Sequence, residues 1–272
     1  MSNGIILRLI PLLASQITVT AAASVNAAFP AANIVDVQPK VVVQSNPSGA
    51  GSYDLVFLID LLADTAIDTA ALMFTNASAA ATWDVRGSTS ATGPSLGTMT
   101  TLLASTGFGM TPTTRENRRH GLMALAAPFT CRYLRIAITD TTANPETLIR
   151  AGIIAVGQRI TPGSNFEIGS GRKVEDQSIT RTLPGGETAI ERGGRTPLWR
   201  GTWSNLTEAE YRSLWSLLME VGTGAPVLIV EDPDAVTGQP EAMHYGLLTS
   251  LDFTERQQID KQRIDVTIRE MI

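Results

Sequence analysis

Carboxylates, thiols, imidazoles and guanidinium groups are the side chains with which this chain of 272 residues could do chemistry, and they are thinly spread. The densest carboxylate group is Glu231, Asp232 and Asp234 in "VEDPDA". Two carboxylates that face each other at a suitable separation can hydrolyse a glycosidic bond. Pro233 between them points instead to a turn at a strand end, where an Asp side chain bonds the backbone two residues on. Cys131 is the single cysteine, and His120 and His244 are the only histidines. Neither an intrachain disulfide nor a cysteine or histidine-rich metal cluster can be built from that set. Cys131 is expected to be a small buried hydrophobe. There is no G-x-S-x-G elbow and no G-x-x-x-x-G-K-[ST] loop, and "GSGRK" at Gly169 to Lys173 lacks the spacing of a phosphate cradle. No catalytic residue, metal or cofactor is expected, and so no hydrolysis of polysaccharide or peptidoglycan.

Arginine carries the remaining chemistry. Arg115, Arg118, Arg119 and His120 lie together in "TTRENRRHG", with Glu116 among them. In a chain of net charge −5 they suit an assembly contact or a solvated loop better than a nucleic-acid surface. Arg132 and Arg135 belong to "FTCRYLRIAITD", Phe129 to Asp140. There Leu134, Ile136 and Ile138 share one face of an extended chain while Tyr133, Arg135, Ala137 and Thr139 share the other. Such a half-buried strand belongs to an antiparallel sheet. Its outer face is expected to be an assembly or solvent surface, on which Arg132 and Arg135 cover neighbouring strands or meet an acidic partner subunit.

The elements that would position these groups are mostly strands. Hydrophobic residues make up 43% of the chain and aromatics 6%, so the core must rest on Val, Ile, Leu and Ala. Extended runs are predicted at 4–10, 17–22, 54–61, 70–74, 82–86, 132–139 and 149–158, separated by turn-rich pieces such as "QSNPSGAGS" and "GMTPTTRENRRHG". Trp83 alternates with Ala81 and Val85 and reads as a core position. Asp54, Asp60, Asp64 and Asp68 recur through the apolar stretch 53–74, which excludes it as a membrane span. Arg8 and Pro11 interrupt the apolar N-terminal run, so a cleaved signal is not expected there.

Composition shifts at "ITPGSN", Ile160 to Asn165. Residues 1–161 hold 10 Lys and Arg against 9 Asp and Glu, and residues 162–272 hold 11 against 17. Two domains, 1–161 and 162–272, are therefore expected. The second contains "NLTEAEYRSLWSLLMEVGTG": Thr207 and Glu210 form a capping box, Leu206 and Tyr211 a hydrophobic staple, and Gly222 a C-terminal cap. A helix over about 207–221 follows, burying Tyr211, Leu214, Trp215, Leu218 and Val221. "APVLIV", "HYGLLTSLDF" and "RIDVTIRE" continue as strands, the last with Ile264, Val266 and Ile268 on one face.

Taken in order, "FPAANIVD", "LMFTNASAAATWDVRG" and "CRYLRIAITDTTANPETLIRAGIIAVGQRITPGSNFEIG" resemble the galactose-binding-like, discoidin-type jelly roll of tail-tip proteins from long-tailed bacteriophages. "WRGTWSNLTEAEYRSLWSLLMEVGTGAPVLIVEDPD" with "YGLLTSLDF" resembles the distal-tail and tail-tube β-barrel with its packed helix. Family members often carry a Trp after the "NIVD"-like motif, and "PKVVVQSNPSGAG" has none. The resemblance implies a mainly β protein: an N-terminal jelly-roll β-sandwich followed by a split β-barrel or sandwich carrying one α-helix. It further implies a non-enzymatic structural protein of the virion, assembled in the bacterial cytoplasm, that forms a ring joining tail tube to tip. A hexamer is expected, with a trimer as the other stoichiometry. Its partners would be further copies of itself and the neighbouring tail-tube and tail-hub proteins, with DNA passing through unbound and no membrane contact. The alternative is a module that binds host-surface carbohydrate and is attached to the tail. In the ring, the acidic surplus of the second domain would line the lumen, through Glu231, Asp232 and Asp234 above all and through some of Glu167, Glu175, Asp176, Glu187 and Glu191. Arg115, Arg118, Arg119, Arg132 and Arg135 would be assembly contacts.

Overall fold

The computed structural model describes residues 3–271 apart from 22–23, 48–51, 109–118, 142–143, 145, 168, 183, 235–241, 252–254 and 259–260. The protein is mainly β, with one α-helix. It forms two compact units: Met1–Thr161 with Leu228–Met243, and Pro162–Val227 with His244–Ile272.

The first unit contains β1 (Ile5–Leu9), β2 (Ile17–Ala21), β3 (Val43–Gln44), β4 (Ser52–Thr75), β5 (Thr82–Ser88), β6 (Thr100–Gly107), β7 (Arg119–Thr141), β8 (Arg150–Ala151) and β9 (Ile153–Ile160). The long strands β4 and β7 organise it. Ser52 to Asp60 pair with Tyr133 to Thr141, and after a register shift Thr69 to Thr75 pair with Ala124 to Arg119. Leu62 takes a positive φ of 67° within the shift, and the Asp60 carboxylate accepts the Leu62 amide at 2.8 Å. A bulge of this kind bends a strand and lets it pass from one layer of a sandwich to the other. One layer runs β2–β4–β7–β5–β6 and the other β1–β9–β4–β7. Leu228 to Val230 add to β1. The runs predicted at 54–61 and 70–74 are thus one strand, and β7 starts at Arg119 rather than Arg132. Polar residues at the bulge interrupt the alternation while the backbone ladder continues.

Between the layers lie Leu55, Phe57 and Ile59 of β4, Val85 of β5, and Leu134, Ile136 and Ile138 of β7, none of them exposed. Burying each such side chain stabilises the fold by about 1.5–3 kcal/mol. Trp83 is buried beside them and stacks on Phe108. A Cβ at Gly121 would sit 2.7 Å from the Trp83 ring, so only glycine fits there. Asp140, fully buried, accepts four hydrogen bonds, from the Ser78 amide and hydroxyl, the Thr141 amide and the Asn144 side chain. It thereby pins the 76–81 connection to the end of β7, with the Arg119 charge nearby.

The second unit contains β10 (Gly171–Asp176), β11 (Ile179–Thr182), β12 (Thr188–Glu191), β13 (Arg195–Leu206), α1 (Glu208–Val221), β14 (Pro226–Val230, of which only Pro226 and Val227 belong here), β15 (Met243–Leu251, from His244 onward), β16 (Glu255–Gln258) and β17 (Lys261–Glu270). Its sheet runs β10–β13–β17–β15, with β16 on β17. Ile264, Val266 and Ile268 are buried, as their alternation predicts, beside Trp199, Trp203 and Leu248. β11 and β12 form a separate two-stranded ribbon whose eight residues are all exposed.

The helix is capped as its sequence predicts. Thr207 caps it reciprocally with Glu210, and Gly222 ends it at φ 55°. Burial raises the Glu210 carboxyl, but the Thr207 hydroxyl and amide and the Gly163 amide outweigh this and hold it below the usual range. The buried stripe differs from the expected one. Leu214, Leu217 and Leu218 are buried, whereas Trp215 is 41% exposed and stacks on Tyr211. Leu214 and Leu218 are flanked by Trp215 on one side and Leu217 on the other, and α1 rolls its smaller aliphatic side onto β13 and β17.

Candidate functional site

The outward face of the β2–β4–β7–β5–β6 layer gathers five charged side chains, Asp54, Asp60, Asp84, Arg86 and Arg135. Strand alternation sends Asp54, Val56, Leu58 and Asp60 of β4, Tyr133, Arg135, Ala137 and Thr139 of β7, and Thr82, Asp84 and Arg86 of β5 to that side. Register then sets them in rows. Leu58, Arg135 and Arg86 stand side by side, Val56, Ala137 and Asp84 form the next row, and Asp60 neighbours Tyr133.

Two ion-pair groups result. Arg132 stands opposite the β4 bulge and grips Asp60 with both ends of its fork, Nε to Oδ1 at 2.8 Å and Nη2 to Oδ2 at 2.9 Å. Its guanidinium also lies 5.0 Å from the centre of the Tyr133 ring. Hydrogen bonding from Arg132, aided by the Leu62 amide, holds the Asp60 carboxyl below the usual carboxylate range, and the same pairing raises Arg132. Asp64, on the bulge, accepts the Ser90 amide and hydroxyl, and those bonds hold its carboxyl low too. They also tie the 88–99 connection to this corner of the sheet.

The second group is Arg135, Asp84 and Arg86. Arg135 donates through Nη1 to both oxygens of Asp84, at 2.8 and 3.0 Å. Arg86 donates through Nε to Asp84 Oδ1 at 3.2 Å. The three side chains are 21%, 17% and 35% exposed. Half-buried Val56 and Leu58 lie beside them. Planar hydrogen-bonding groups next to a flat apolar strip can hold a polyhydroxylated ring by its edge and its C–H face at once. Cys131 lies beneath this face, fully buried, and loss of hydration pushes its thiol up to about 11, with the Asp64 charge adding to this.

Other sequence-predicted residues lie elsewhere. Arg119 donates Nε to the Ala77 carbonyl at 2.9 Å, and burial lowers its pKa. Arg115 and Arg118 fall outside the described residues. Asp232 accepts the Asp234 amide at 3.1 Å in a turn, beside Glu231, whose amide bonds the Ala242 carbonyl. Glu175 takes Arg269 at 2.7 Å, and Asp176 takes the Ser178 amide and Arg195. Glu187 and Glu191 are exposed on and beside the ribbon. Among the described residues no group of three His, Cys, Asp or Glu is placed to hold a metal ion. His120 is buried against Phe74, whose amide it accepts through Nδ1. Asp84 and Arg86 belong to no site expected from the sequence, although their i, i+2 spacing in "TWDVRGS" is a signal for one shared face.

No family model matches the chain, and no curated protein matches it in sequence. Among solved structures it is similar to the chitosan-binding module 1 of a chitosanase/glucanase from Paenibacillus sp. IK-5, at 17% identity and a TM-score of 0.40, over 55% of this chain and 98% of that one. It is also similar to a family 32 carbohydrate-binding module of Clostridium perfringens NanJ, solved with galactose, at 14% identity and a TM-score of 0.39, over 54% and 96%. A third similar structure is XRCC1 bound to the DNA polymerase β catalytic domain, at 12% identity and a TM-score of 0.42, over 56% and 99%.

Proposed function

We propose that the protein is a carbohydrate-binding module whose recognition surface is the outward face of the β2–β4–β7–β5–β6 layer, carried on a second unit that attaches it to a larger assembly. One observation carries the reading: ion-paired Asp and Arg forks stand in register with half-buried Val56 and Leu58 and with Tyr133 on a single face. Charged groups held by partners on the same or neighbouring strands are pre-organised, so little side-chain entropy is lost on binding. A glycan array probed with the full chain tests it. Binding that disappears in Tyr133→Ala and in Arg135→Ala, both still folded by their thermal midpoints, supports the reading, and an array without any signal overturns it.

A second observation favours a structural role in the virion beside or instead of this one. The ribbon β11–β12 exposes Ile179 and Ile190, and α1 exposes Trp215 and Met219. An isolated two-stranded ribbon is marginal in water, and a neighbouring copy or tail protein would cover it. On that reading the second unit forms the ring that joins tail tube to tip and Arg119, Arg132 and Arg135 brace its neighbours, while Glu231, Asp232 and Asp234, which pack with the first unit, drop out of its lumen. Mass photometry separates the two. A closed hexamer or trimer supports the ring, and a monomer at micromolar concentration removes it.

A further inference from the structure

We propose that Arg86 and Arg135 form a subsite for the carboxylate of an acidic sugar, so that the polymer bound on this face is a polyuronate rather than a neutral glycan. The inference rests on the carbohydrate reading above and narrows it.

Arg86 and Arg135 are direct cross-strand partners on β5 and β7. Like charges so placed repel, and the fold answers with one carboxylate, Asp84, shared between them. One carboxylate against two guanidiniums leaves a local surplus of one positive charge. It also leaves donors over. Among the described residues, neither terminal nitrogen of Arg86 has an acceptor, nor do Nε and Nη2 of Arg135. A guanidinium fork matches a carboxylate bidentately, a match that a neutral hydroxyl cannot make.

The nearest other carboxylates are already engaged. Asp60 lies one row away and is paired with Arg132, and Asp64, on the bulge beyond it, is bonded to Ser90. Asp54 is in the row of Thr139, four residues along β7 from Arg135, on the order of 13 Å at 3.3 Å per residue. On the other side of Arg135, Leu58 and then Val56 supply an apolar ledge for the C–H face of the same ring or the next. The row of half-exposed side chains from Leu58 through Arg135 to Arg86 crosses three strands, a length that suits a polymer with a carboxylate on each residue.

The test is titration of the full-length protein with polygalacturonate and with the same polymer fully methyl-esterified, which keeps the backbone and removes the charge. The acid form is expected to bind tighter by about tenfold or more. Arg86→Ala should abolish that difference and Arg86→Lys should restore only part of it, each with an unchanged thermal midpoint. Arg212→Ala, which removes the same charge from the exposed face of α1, should leave it intact. Equal binding of acid and ester overturns the acidic subsite while leaving the carbohydrate reading standing, and so does an equal loss in Arg212→Ala, which marks unspecific attraction. Absence of binding to every glycan on the array removes both.

Discussion

Asp60 serves two structures at once, closing the β4 bulge through the Leu62 amide and holding Arg132 on the outer face. Its pKa is depressed in the folded state, as is that of Asp64. A depressed carboxyl contributes stability above its unfolded value, about 3.9, and loses it as pH falls through the folded value. The thermal midpoint of the first unit should therefore stay level down to about pH 5 and fall below about pH 4. Asp60→Asn should lower the midpoint at pH 7 and flatten that acid limb, and parallel curves for the two proteins would contradict the assignment. Cys131 offers an independent check on burial. With its thiol pushed up to about 11 and no exposed surface, it should resist a disulfide reagent at pH 7.5 and react at once in denaturant. Asp140, which accepts four hydrogen bonds, should tolerate even Asn poorly, at a cost of about 2–4 kcal/mol in denaturant unfolding, since an amide turns a donor toward donors.

Helix α1 separates what capping contributes from what packing contributes. Thr207→Ala removes the hydroxyl's bonds with the Glu210 carboxylate and amide, leaves the Thr207 amide's own bond to Glu210, and should cost about 1 kcal/mol. Leu217→Ala empties a fully buried position and should cost about 2–5 kcal/mol. Trp215→Ala should cost under about 1 kcal/mol, because the ring faces outward and loses mainly its contact with Tyr211. Urea titrations of the three variants would show that order, and a Trp215→Ala loss as large as that of Leu217→Ala would put the ring inside after all.

At the scale of the whole molecule, the first unit is completed by residues far along the chain. Ile5, Ile6 and Leu7 are almost wholly buried on β1, and Leu228 to Val230 pair with them. A fragment ending at Thr161 would leave β1 as an apolar, unpaired edge, which invites strand addition from other molecules. Residues 1–161 expressed alone should aggregate, while the same fragment joined to 226–243 by a flexible linker should stay monodisperse in light scattering. No helix among the described residues is long and apolar enough to cross a membrane. The four-Asp stretch 53–74 is strand throughout, within β4.

Local order in the sequence was enough for burial and for the helix ends. Alternation placed Leu134, Ile136 and Ile138 inside, Arg135 outside and Trp83 in the core, because a strand's side chains must alternate whatever it pairs with. The capping box and Gly222 were legible because their hydrogen bonds span only a few residues. What the outer face holds was not legible in the same way. The partners of Arg132 and Arg135 come from 72 and 51 residues away, and only pairing register brings them together. Helical spacing likewise pointed to Trp215 and not to Leu217 for the buried stripe, and contact with β13 and β17 reversed that choice. The joining of β4 through its bulge and the return of residues 228–243 to the first unit are non-local as well. A sheet's ladder ties segments by their edges, and no composition or period in either segment records which edge it will meet.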